Sequence, residues 1–398
     1  MSTLDPSFTL KLGFSRVGYP GVQLEQFLKR RYSNFRQARQ FLVKEIEVNG
    51  LPLAAWKWPF LLRGFHSDKR YLYQLGADRR PLPTYLSDFA RLRTRRLNGA
   101  YRKILDHKWM FKEAVAGAIR CPRTVATIGE DGATEMLGER GEVVDRVPLS
   151  AALERFGGPV VAKRFDGGGG KKIFRIERRG SAFTVNGAPM SATEIELLLG
   201  RQAFMVEEAI QQAAYAEALY PHSVNTIRIL TVNDGRSSPW IAFAVQRIGR
   251  AVSAPTDNFN RGGLCAAVDL ETGALGEALH FTKDARPATF QSHPETGARI
   301  QGTLIPNWAE LRRWLLDFVD RFPGFAYVGW DVVVLQSGFM LLEGNSYSGV
   351  QLIQSHRPLL ESGRFAEYLL NAGIISRRQF QEIRTGSTPQ LTGQSATP

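Results

Sequence analysis

Two apolar runs separated by three small or polar residues place the strongest local constraint on this 398-residue chain. The run YVGWDVVVL is followed by Gln336-Ser337-Gly338 and then by FMLLEGN, a pattern that predicts an antiparallel β-hairpin. If those three residues form the loop, Leu335 pairs with Phe339 and Asp331 faces Glu343. Two carboxylates on one face, with Cβ atoms roughly 5 Å apart, repel each other unless a cation lies between them.

The same hairpin offers a third oxygen donor, because Asn345 follows on the face of Glu343. Two carboxylates and an amide are hard ligands of the kind that Mg²⁺ or Mn²⁺ prefers. The hairpin therefore predicts a metal site formed by Asp331, Glu343 and Asn345. A two-residue turn would move Glu343 to the other face and remove the site. The alternative is that both acids are polar strand ends without a ligand.

The chain from about residue 106 onward alternates short Val/Ile/Phe-rich runs with amphipathic helices. Several of the runs are joined by short turns, so much of the sheet is expected to be antiparallel and the fold class α+β. Residues 1–105 are predicted to form a mostly helical accessory region, because apolar residues recur there at helical spacing. The Thr/Ser/Gln/Pro-rich tail, residues 385–398, is predicted to be disordered.

Charge and cysteine content narrow the classes of function. The net charge of +13 favours anionic partners, and two isolated cysteines exclude a disulfide framework or a CxxC site. Neither a secretory signal nor an apolar run of bilayer-spanning length is recognisable, so a cytoplasmic location is expected. The basic run from Arg91 to Lys103 is either an anion-binding face or a solvated helix surface.

A glycine-rich segment follows the strand that carries Lys163. Gly167, Gly168, Gly169 and Gly170 do not fit a Walker A loop, because Phe165 stands where its first glycine belongs. Glycines let backbone N–H groups approach an anion closely, and Lys163 would add a point charge to a phosphate. The alternative is a flexible hairpin tip.

Two further segments carry candidate ligand contacts. The run AFMVEEAIQQ ends a strand in Glu207 and Glu208 and continues through Ile210, a connection that can offer hydrogen bonds to an adenine. The run HSVNTIRIL places Asn225 and Arg228 around the next strand. Alternating apolar neighbours predict that Arg228 points into a cleft, where it can hold a phosphate or carboxylate. A structural salt bridge is the competing interpretation.

The order of these elements resembles that of the ATP-grasp superfamily. It runs from DHKWMF through VVAK, the glycine loop and MVEEAI to VGWDVVV and LLEGN. Within the superfamily, SVNTIRILTV followed by DNFNRGG is similar to the sugar-transfer-associated ATP-grasp group, which is related to α-L-glutamate ligases. The resemblance implies an ATP-grasp fold, in which two α+β subdomains clasp ATP. It implies a catalytic domain at residues 106–375, with a nucleotide-covering subdomain at about 106–205.

The resemblance also implies roles for individual residues. ATP would be held by phosphate-binding lysines, a covering loop, an adenine-binding connection and a nearby acid, formed by Lys108, Lys163, Gly167 to Gly170, Glu207, Glu208, Ile210 and Glu217. One or two Mg²⁺ ions would be bound by the residues that the hairpin had already indicated, Asp331, Glu343 and Asn345. The substrate would be contacted by Asn225, Arg228, Asn258, Asn260 and Arg261, with Lys163 and Arg228 as the catalytic side chains.

Two departures from D-alanine ligase-like members affect substrate handling. Those members carry an arginine where this chain has Gly329, and Pro-Gly where it has Ser348-Gly349. Arg228 is expected to supply the missing positive charge from a neighbouring strand.

The resemblance implies an ATP- and Mg²⁺-dependent carboxylate ligase that acts through an acyl phosphate, in cell-envelope or exopolysaccharide biosynthesis. The acceptor would be an amine or another nucleophile, and a glycan-linked acceptor is one form of this expectation. A phosphotransferase on a sugar or lipid and a non-catalytic basic module that binds nucleic acid or another anion are the alternatives. We expect no dedicated nucleic-acid site in the ligase, while peripheral contact with an anionic membrane or glycan stays open.

Overall fold

The computed structural model describes residues 20–73, 82–165, 172–180, 182–200, 202–281 and 287–385, with side chains from residue 35 onward. The predicted glycine loop, Gly167 to Gly170, and the predicted disordered tail after Thr385 lie outside the described residues. The chain divides into two compact units between Ala55 and Trp56. Within the described segments, none of the helices has the length and hydropathy of a bilayer-spanning segment.

The chain before the first sheet is mostly helical where it is described, as the apolar spacing predicts. In the first unit the structure describes the chain from residue 20 onward, and that part contains the helix α1 (Pro20–Asn49). The second unit begins with short helices, which are α2 (Trp58–Leu61), α3 (Lys69–Leu72), α4 (Asp88–Thr94), α5 (Arg102–Asp106) and α6 (Lys108–Val115). The predicted domain boundaries at residues 105 and 205 stay predictions.

An eight-stranded antiparallel sheet follows, in the order β3-β2-β1-β8-β4-β5-β6-β7. Its strands are β1 (Thr124–Ile128), β2 (Ala133–Leu137), β3 (Val143–Pro148), β4 (Val160–Arg164), β5 (Ile173–Arg179), β6 (Ala182–Val185), β7 (Ala188–Met190) and β8 (Phe204–Glu208). Two helices, α7 (Leu149–Arg155) and α8 (Ala192–Leu199), contribute Leu153 and Ile195 to its core. Ser191 and Glu194 form a reciprocal capping box that fixes the start of α8.

A seven-stranded antiparallel sheet, in the order β13-β12-β11-β10-β9-β14-β15, forms the rest of the second unit. Its strands are β9 (Ile227–Val232), β10 (Trp240–Ile248), β11 (Leu264–Val268), β12 (Leu275–His280), β13 (Ala288–Phe290), β14 (Tyr327–Val334) and β15 (Phe339–Asn345). The associated helices are α9 (Ala214–Leu219), α10 (Trp308–Asp320), α11 (Gln351–Gln354), α12 (Gly363–Asn371) and α13 (Arg377–Thr385).

The second sheet is covered on both faces. On one face Leu311, Leu315 and Phe318 of α10 share a core with Trp330 of β14, and on the other Phe365 of α12 shares a core with Tyr327. Burial on both faces explains why β9 and β14 are mostly apolar, with Arg228 and Asp331 as their charged residues. Two antiparallel sheets with helices packed on them confirm the predicted α+β class.

The β14–β15 hairpin confirms the predicted partner of Asp331, although the predicted loop is wrong. Asp331 pairs with Glu343, but Phe339 pairs with Val334 instead of Leu335. The turn is one residue longer than expected, closed by the N–H of Leu335 donating to the Gly338 carbonyl at 3.0 Å. A β-bulge beside Asp331 shifts the register back by one residue. The two shifts cancel, so the acids face each other.

Candidate functional site

A cleft of about 1250 Å³ is lined by residues from both sheets of the second unit. It is bordered by the ends of β4 and β8 on one side and of β9, β14 and β15 on the other. Most of the predicted site residues line it, namely Lys108, Lys163, Glu207, Glu208, Ile210, Glu217, Arg228, Asn258, Asn260, Asp331, Glu343 and Asn345. Residues that are far apart in the sequence are thus brought to one cavity.

Glu207 lies between two lysines on the side of the first sheet. Its Oε2 atom is 2.7 Å from Lys163 Nζ, and its Oε1 atom is 2.8 Å from Lys112 Nζ. Burial acts to raise the pKa of Glu207, but the two ammonium groups outweigh it and hold that pKa below its usual range. The Glu207 carboxylate is therefore ionised, and Lys163 is held at the cleft wall by an ion pair.

Lys112 is fixed more firmly than Lys163. Its ammonium group also donates to Thr124 Oγ1 at 2.6 Å and to the Pro122 carbonyl. With three acceptors around it, Lys112 has all its N–H groups engaged. Sequence reasoning missed this residue, although Lys112 stands four positions after Lys108 and helical spacing therefore puts the two on one face.

Asp331 lies between two arginines on the side of the second sheet. Arg228, paired with it across β9 and β14, donates Nε to Oδ1 at 2.5 Å and Nη2 to Oδ2 at 3.0 Å. Arg247 donates Nη1 to Oδ2 at 3.1 Å. Burial acts to raise the pKa of Asp331, but Arg228 and Arg247 outweigh it and lower the pKa to about 2. Arg228 thus both lines the cleft and forms the salt bridge that was its competing interpretation.

Arg247 is itself anchored from behind by Asp257. Arg247 Nη2 donates to Asp257 Oδ1 at 2.5 Å, and Asp257 Oδ2 accepts from the N–H of Thr226 at 2.8 Å. The sequence analysis missed both residues. Arg247 could have been found from the sequence, because it is the charged residue of the apolar strand WIAFAVQRI, just as Arg228 is a charged residue in an apolar strand. The loop around Asp257 gave no comparable signal.

Glu343 and Asn345 complete the acidic end of the cleft. Glu343 is about one-third exposed and has its Oε2 atom 3.7 Å from Lys108 Nζ. Asn345 donates Nδ2 to the Gly329 carbonyl at 3.1 Å, so its Oδ1 is the end of the amide that can act as a ligand. Among the described residues, no group of three or more His, Cys, Asp or Glu side chains is arranged to hold a metal.

The donor set nevertheless fits a hard divalent cation. A carboxylate offers about four lone-pair positions, and the arginines occupy three of those on Asp331. One position on Asp331, the accessible carboxylate of Glu343 and the Asn345 oxygen are oxygen donors of the kind that Mg²⁺ takes, together with water and phosphate. The two nearby guanidinium groups oppose a cation, so such a site depends on further negative charge from a ligand.

Two predicted substrate contacts are not supported by their positions. Asn225 does not line the cleft; its Nδ2 donates to the carbonyls of Ala216 and Tyr220 at 2.7 and 2.8 Å, and its Oδ1 accepts from the N–H of Gly249. The Asn225 amide fastens the end of α9 to the sheet, and its role as a substrate contact stays a prediction. Arg261 is exposed and also lies outside the cleft lining.

The basic run that begins on α4 has a structural role that neither interpretation of it anticipated. Arg91 donates Nε to the Ser348 carbonyl at 2.9 Å and stacks 3.8 Å from the centre of the Tyr347 ring. Arg93 and Arg96 donate to carbonyls that follow the end of α12, those of Ile374, Gly373 and Ala372. These arginines bind backbone oxygens of the loop after β15 and of the α12 C-terminus, where cations are favourable.

Comparison with known proteins identifies relatives of this chain. A family model described as sugar-transfer associated ATP-grasp matches residues 90–361, well over half of the chain. No curated protein matches the chain significantly.

Several solved structures resemble the chain at low sequence identity. A RimK domain protein ATP-grasp from Sphaerobacter thermophilus is 16% identical, with a TM-score of 0.33 over 71% of this chain and 69% of the other. D-alanyl-alanine synthetase A from Vibrio cholerae is 12% identical, with a TM-score of 0.38 over 69% and 66%. N5-carboxyaminoimidazole ribonucleotide synthetase from Thermotoga maritima is 14% identical, with a TM-score of 0.31 over 65% and 49%. The chain thus spans about half the length of the last of these proteins.

Proposed function

The chain belongs to the sugar-transfer-associated ATP-grasp family, and from this membership we propose that it is an ATP-dependent ligase that activates a carboxylate as an acyl phosphate. One observation carries the proposal: a single cleft joins the Lys163–Glu207 pair of one sheet to the Asp331–Glu343 pair of the other. A pair of facing acids beside several cations is the arrangement that a magnesium-bound polyphosphate requires.

The nucleotide would lie along the first sheet. Lys108 and Lys163 would bind its phosphates, and the glycine loop would cover them. The N–H groups of Glu208 and Ala209 already donate to the carbonyls of Arg123 and Pro159, at 3.0 and 2.9 Å. Adenine recognition would therefore fall to the Ile210 backbone. Glu217, whose carboxylate accepts from Gln212 Nε2 at 2.9 Å, would lie near the nucleotide.

Mg²⁺ or Mn²⁺ would be held by Asp331, Glu343 and Asn345, and when bound it would neutralise charge on the β- and γ-phosphates. Arg228 and Arg247 fix the orientation of the Asp331 carboxylate. Their guanidinium groups also border the place where a substrate carboxylate would approach, and Asn258 and Asn260 line the adjoining wall. An anionic acid is thus the substrate that this end of the cleft would attract.

The reaction would take place in two steps. A substrate carboxylate oxygen forms a bond to the γ-phosphorus while the bond to the β-phosphate oxygen breaks, which releases ADP. The lone pair of an acceptor amine, or of another nucleophile, then attacks the acyl carbon; inorganic phosphate leaves and the nucleophile gives up a proton. The protein's part is positioning and charge neutralisation, and no side chain becomes covalently attached. A role in cell-envelope or exopolysaccharide biosynthesis, on a glycan-linked acceptor, is the setting we propose.

The test is ATP turnover by purified protein with Mg²⁺, assayed against amino acids, sugar acids and glycan precursors. We expect ADP, inorganic phosphate and a ligated product, and we expect Lys163→Met and Asp331→Asn each to lose at least about 100-fold in kcat/KM, since each removes a charge that faces the triphosphate. Lys44→Met and Asp317→Asn change exposed residues of the same types and should leave turnover unchanged.

The products separate this proposal from its alternatives. A phosphorylated acceptor without free phosphate would identify a phosphotransferase, and AMP would indicate adenylation. Full turnover by either Lys163→Met or Asp331→Asn would refute the assignment. Salt-dependent anion binding without turnover, unchanged in Asp331→Asn, would identify a basic binding module instead.

A further inference from the structure

A surface cluster of aromatic, aliphatic and basic side chains lies on the short helices at the start of the second unit, far along the sequence from the cleft residues. It consists of Trp56, Lys57, Trp58, Leu62, Arg63, Arg70 and Tyr71, and we call it the Trp56–Tyr71 face. Leu62 is 80% exposed and Trp58 is 47% exposed. Exposed side chains of this size, gathered in one short segment, mark an interaction surface.

The segment has a separate core of its own, so the exposed residues are not misplaced core residues. Phe65, Leu72, Tyr73 and Tyr85 are buried together, and the Tyr73 and Tyr85 rings stack with centroids 4.8 Å apart. Leu61 is buried while its neighbour Leu62 points outward. The segment therefore has large apolar residues on its outer face in addition to those that hold it together.

Trp56 is in contact with three of the other outer residues. The Trp56 and Tyr71 rings meet edge to face with centroids 6.4 Å apart. Arg70 and Lys57 lie over the Trp56 ring, 5.3 and 5.9 Å from its centre. Trp58 and Leu62 are one helical turn apart, because the N–H of Leu62 donates to the Trp58 carbonyl at 2.9 Å. Because the Lys57 and Arg70 side chains lie over the Trp56 ring, their charged groups and the ring would reach the same depth at a boundary between water and an apolar phase.

The charge on this face is positive. Between residues 56 and 73 the sequence has one acid, Asp68. That acid is largely buried and paired with Lys69 at 2.7 Å. The charged groups that accompany the exposed rings are Lys57, Arg63 and Arg70.

From this arrangement we propose that the Trp56–Tyr71 face docks the protein on the surface of an anionic lipid bilayer. Trp and Tyr favour the headgroup region, Leu62 can enter the acyl boundary, and the three basic groups match anionic headgroups. A second copy of the chain is disfavoured as the occupant, because two positively charged faces would meet. The helices here have only four residues each, so contact is shallow.

The experiment is co-sedimentation of the full chain with phosphatidylcholine vesicles that contain or lack phosphatidylglycerol, over a series of salt concentrations. We expect binding only to the anionic vesicles, weakened by salt. Leu62→Ser should lower the partition coefficient about ten-fold, since about half of a buried leucine's transfer free energy is lost. Arg70→Gln should lower it about five-fold, because one basic group near the surface contributes about 1 kcal/mol.

Matched controls lie elsewhere on the surface. Leu197 of α8 is 83% exposed and Arg378 of α13 is 84% exposed, so Leu197→Ser and Arg378→Gln should bind vesicles as the wild type does. Unchanged circular dichroism of Leu62→Ser and Arg70→Gln would establish that they are folded.

Three results would overturn the proposal. The first is equal binding to neutral and anionic vesicles. The second is wild-type binding by both Leu62→Ser and Arg70→Gln. The third is a dimer that light scattering detects in the wild type and that Leu62→Ser dissociates, since the face would then be occupied by a second copy.

Discussion

Replacing Lys112 with methionine tests how the cleft releases Lys163 for ATP. Glu207 is only 4% exposed, and its carboxylate is shared by Lys112 and Lys163. On the proposed function Lys163 moves from Glu207 to a phosphate, and Lys112 then neutralises Glu207 alone. Lys112 can do so because Thr124 and Pro122 hold its ammonium group in place. Without Lys112, ATP binding would leave a buried carboxylate unpaired.

The magnitude follows from that unpaired charge. Leaving one member of a buried ion pair alone costs about 3–5 kcal/mol. In the empty Lys112→Met variant Lys163 still pairs with Glu207, so most of this penalty is deferred until ATP arrives. When ATP binds, the structure around Glu207 can relax, and Lys163 can stay partly shared between Glu207 and the phosphate. Both effects would reduce the penalty to about 1.5–3 kcal/mol, which raises the ATP dissociation constant about 10- to 100-fold. The effect on kcat should be smaller, because the phosphate contacts are kept once ATP is bound.

The assay is ATP binding measured directly by calorimetry, together with the steady-state KM for ATP. The double variant Lys112→Met/Glu207→Gln should recover most of the lost affinity, because its amide needs no counter-charge. Lys103→Met, a change of an exposed lysine on α5, should leave ATP binding as in the wild type. Wild-type ATP affinity in Lys112→Met, or a double variant as weak as the single one, would refute the exchange of partners.

Two further predictions concern pH and packing. Burial lowers the pKa of His356 from 6.5 to about 4, so the neutral ring is favoured in the fold; stability should be complete above pH 6.5 and fall by up to about 3 kcal/mol as the pH drops towards 4. Urea unfolding should show His356→Gln flattening that slope, and an equally steep slope in the variant would contradict it. At Gly329, an added Cβ would lie 2.3 Å from Ser348 Oγ and 3.2 Å from Arg228 Cδ. Gly329→Ala should therefore lower kcat/KM for the carboxylate about ten-fold with unchanged ATP affinity, measured by substrate titration, whereas Gly363→Ala, where the space is open, should not.

The hairpin illustrates how far sequence patterns reach. Alternation along each strand identified Asp331 and Glu343 as members of one face, since side chains of a strand alternate with period two. The pattern did not reveal the longer turn or the bulge, because both are set by backbone twist and packing. The pairing survived because two one-residue shifts of opposite direction cancel. A single shift would have put the acids on opposite faces.

The ion pairs around these acids were less predictable. A charged residue in an apolar strand indicates a partner of opposite charge, and this pattern identified Arg228 as a candidate site residue. Its partner Asp331 lies 103 positions away and becomes a neighbour only when β9 and β14 pair. The arginines of α4 were harder still, because they bind backbone carbonyls, and every residue in the chain offers a carbonyl.

The two sides of the cleft share one electrostatic design. Each side holds a buried carboxylate between two cations, Glu207 between lysines and Asp331 between arginines. On each side one cation is anchored from behind, Lys112 by Thr124 and Arg247 by Asp257. These four cations are already paired with buried carboxylates of the protein, so they do not present their full positive field to passing anions.

On the proposed function, a ligand therefore binds by replacing carboxylates of the protein as the partners of these cations. It cannot simply bind to unpaired positive charges. A triphosphate with its magnesium brings both signs of charge, so it can take over Lys163 while supplying a cation to Glu343 and Asp331. A plain anion such as sulfate can do only the first and leaves the acids facing each other. Discrimination between magnesium-bound ATP and other anions would thus follow from the two buried carboxylates as much as from the lysines and arginines.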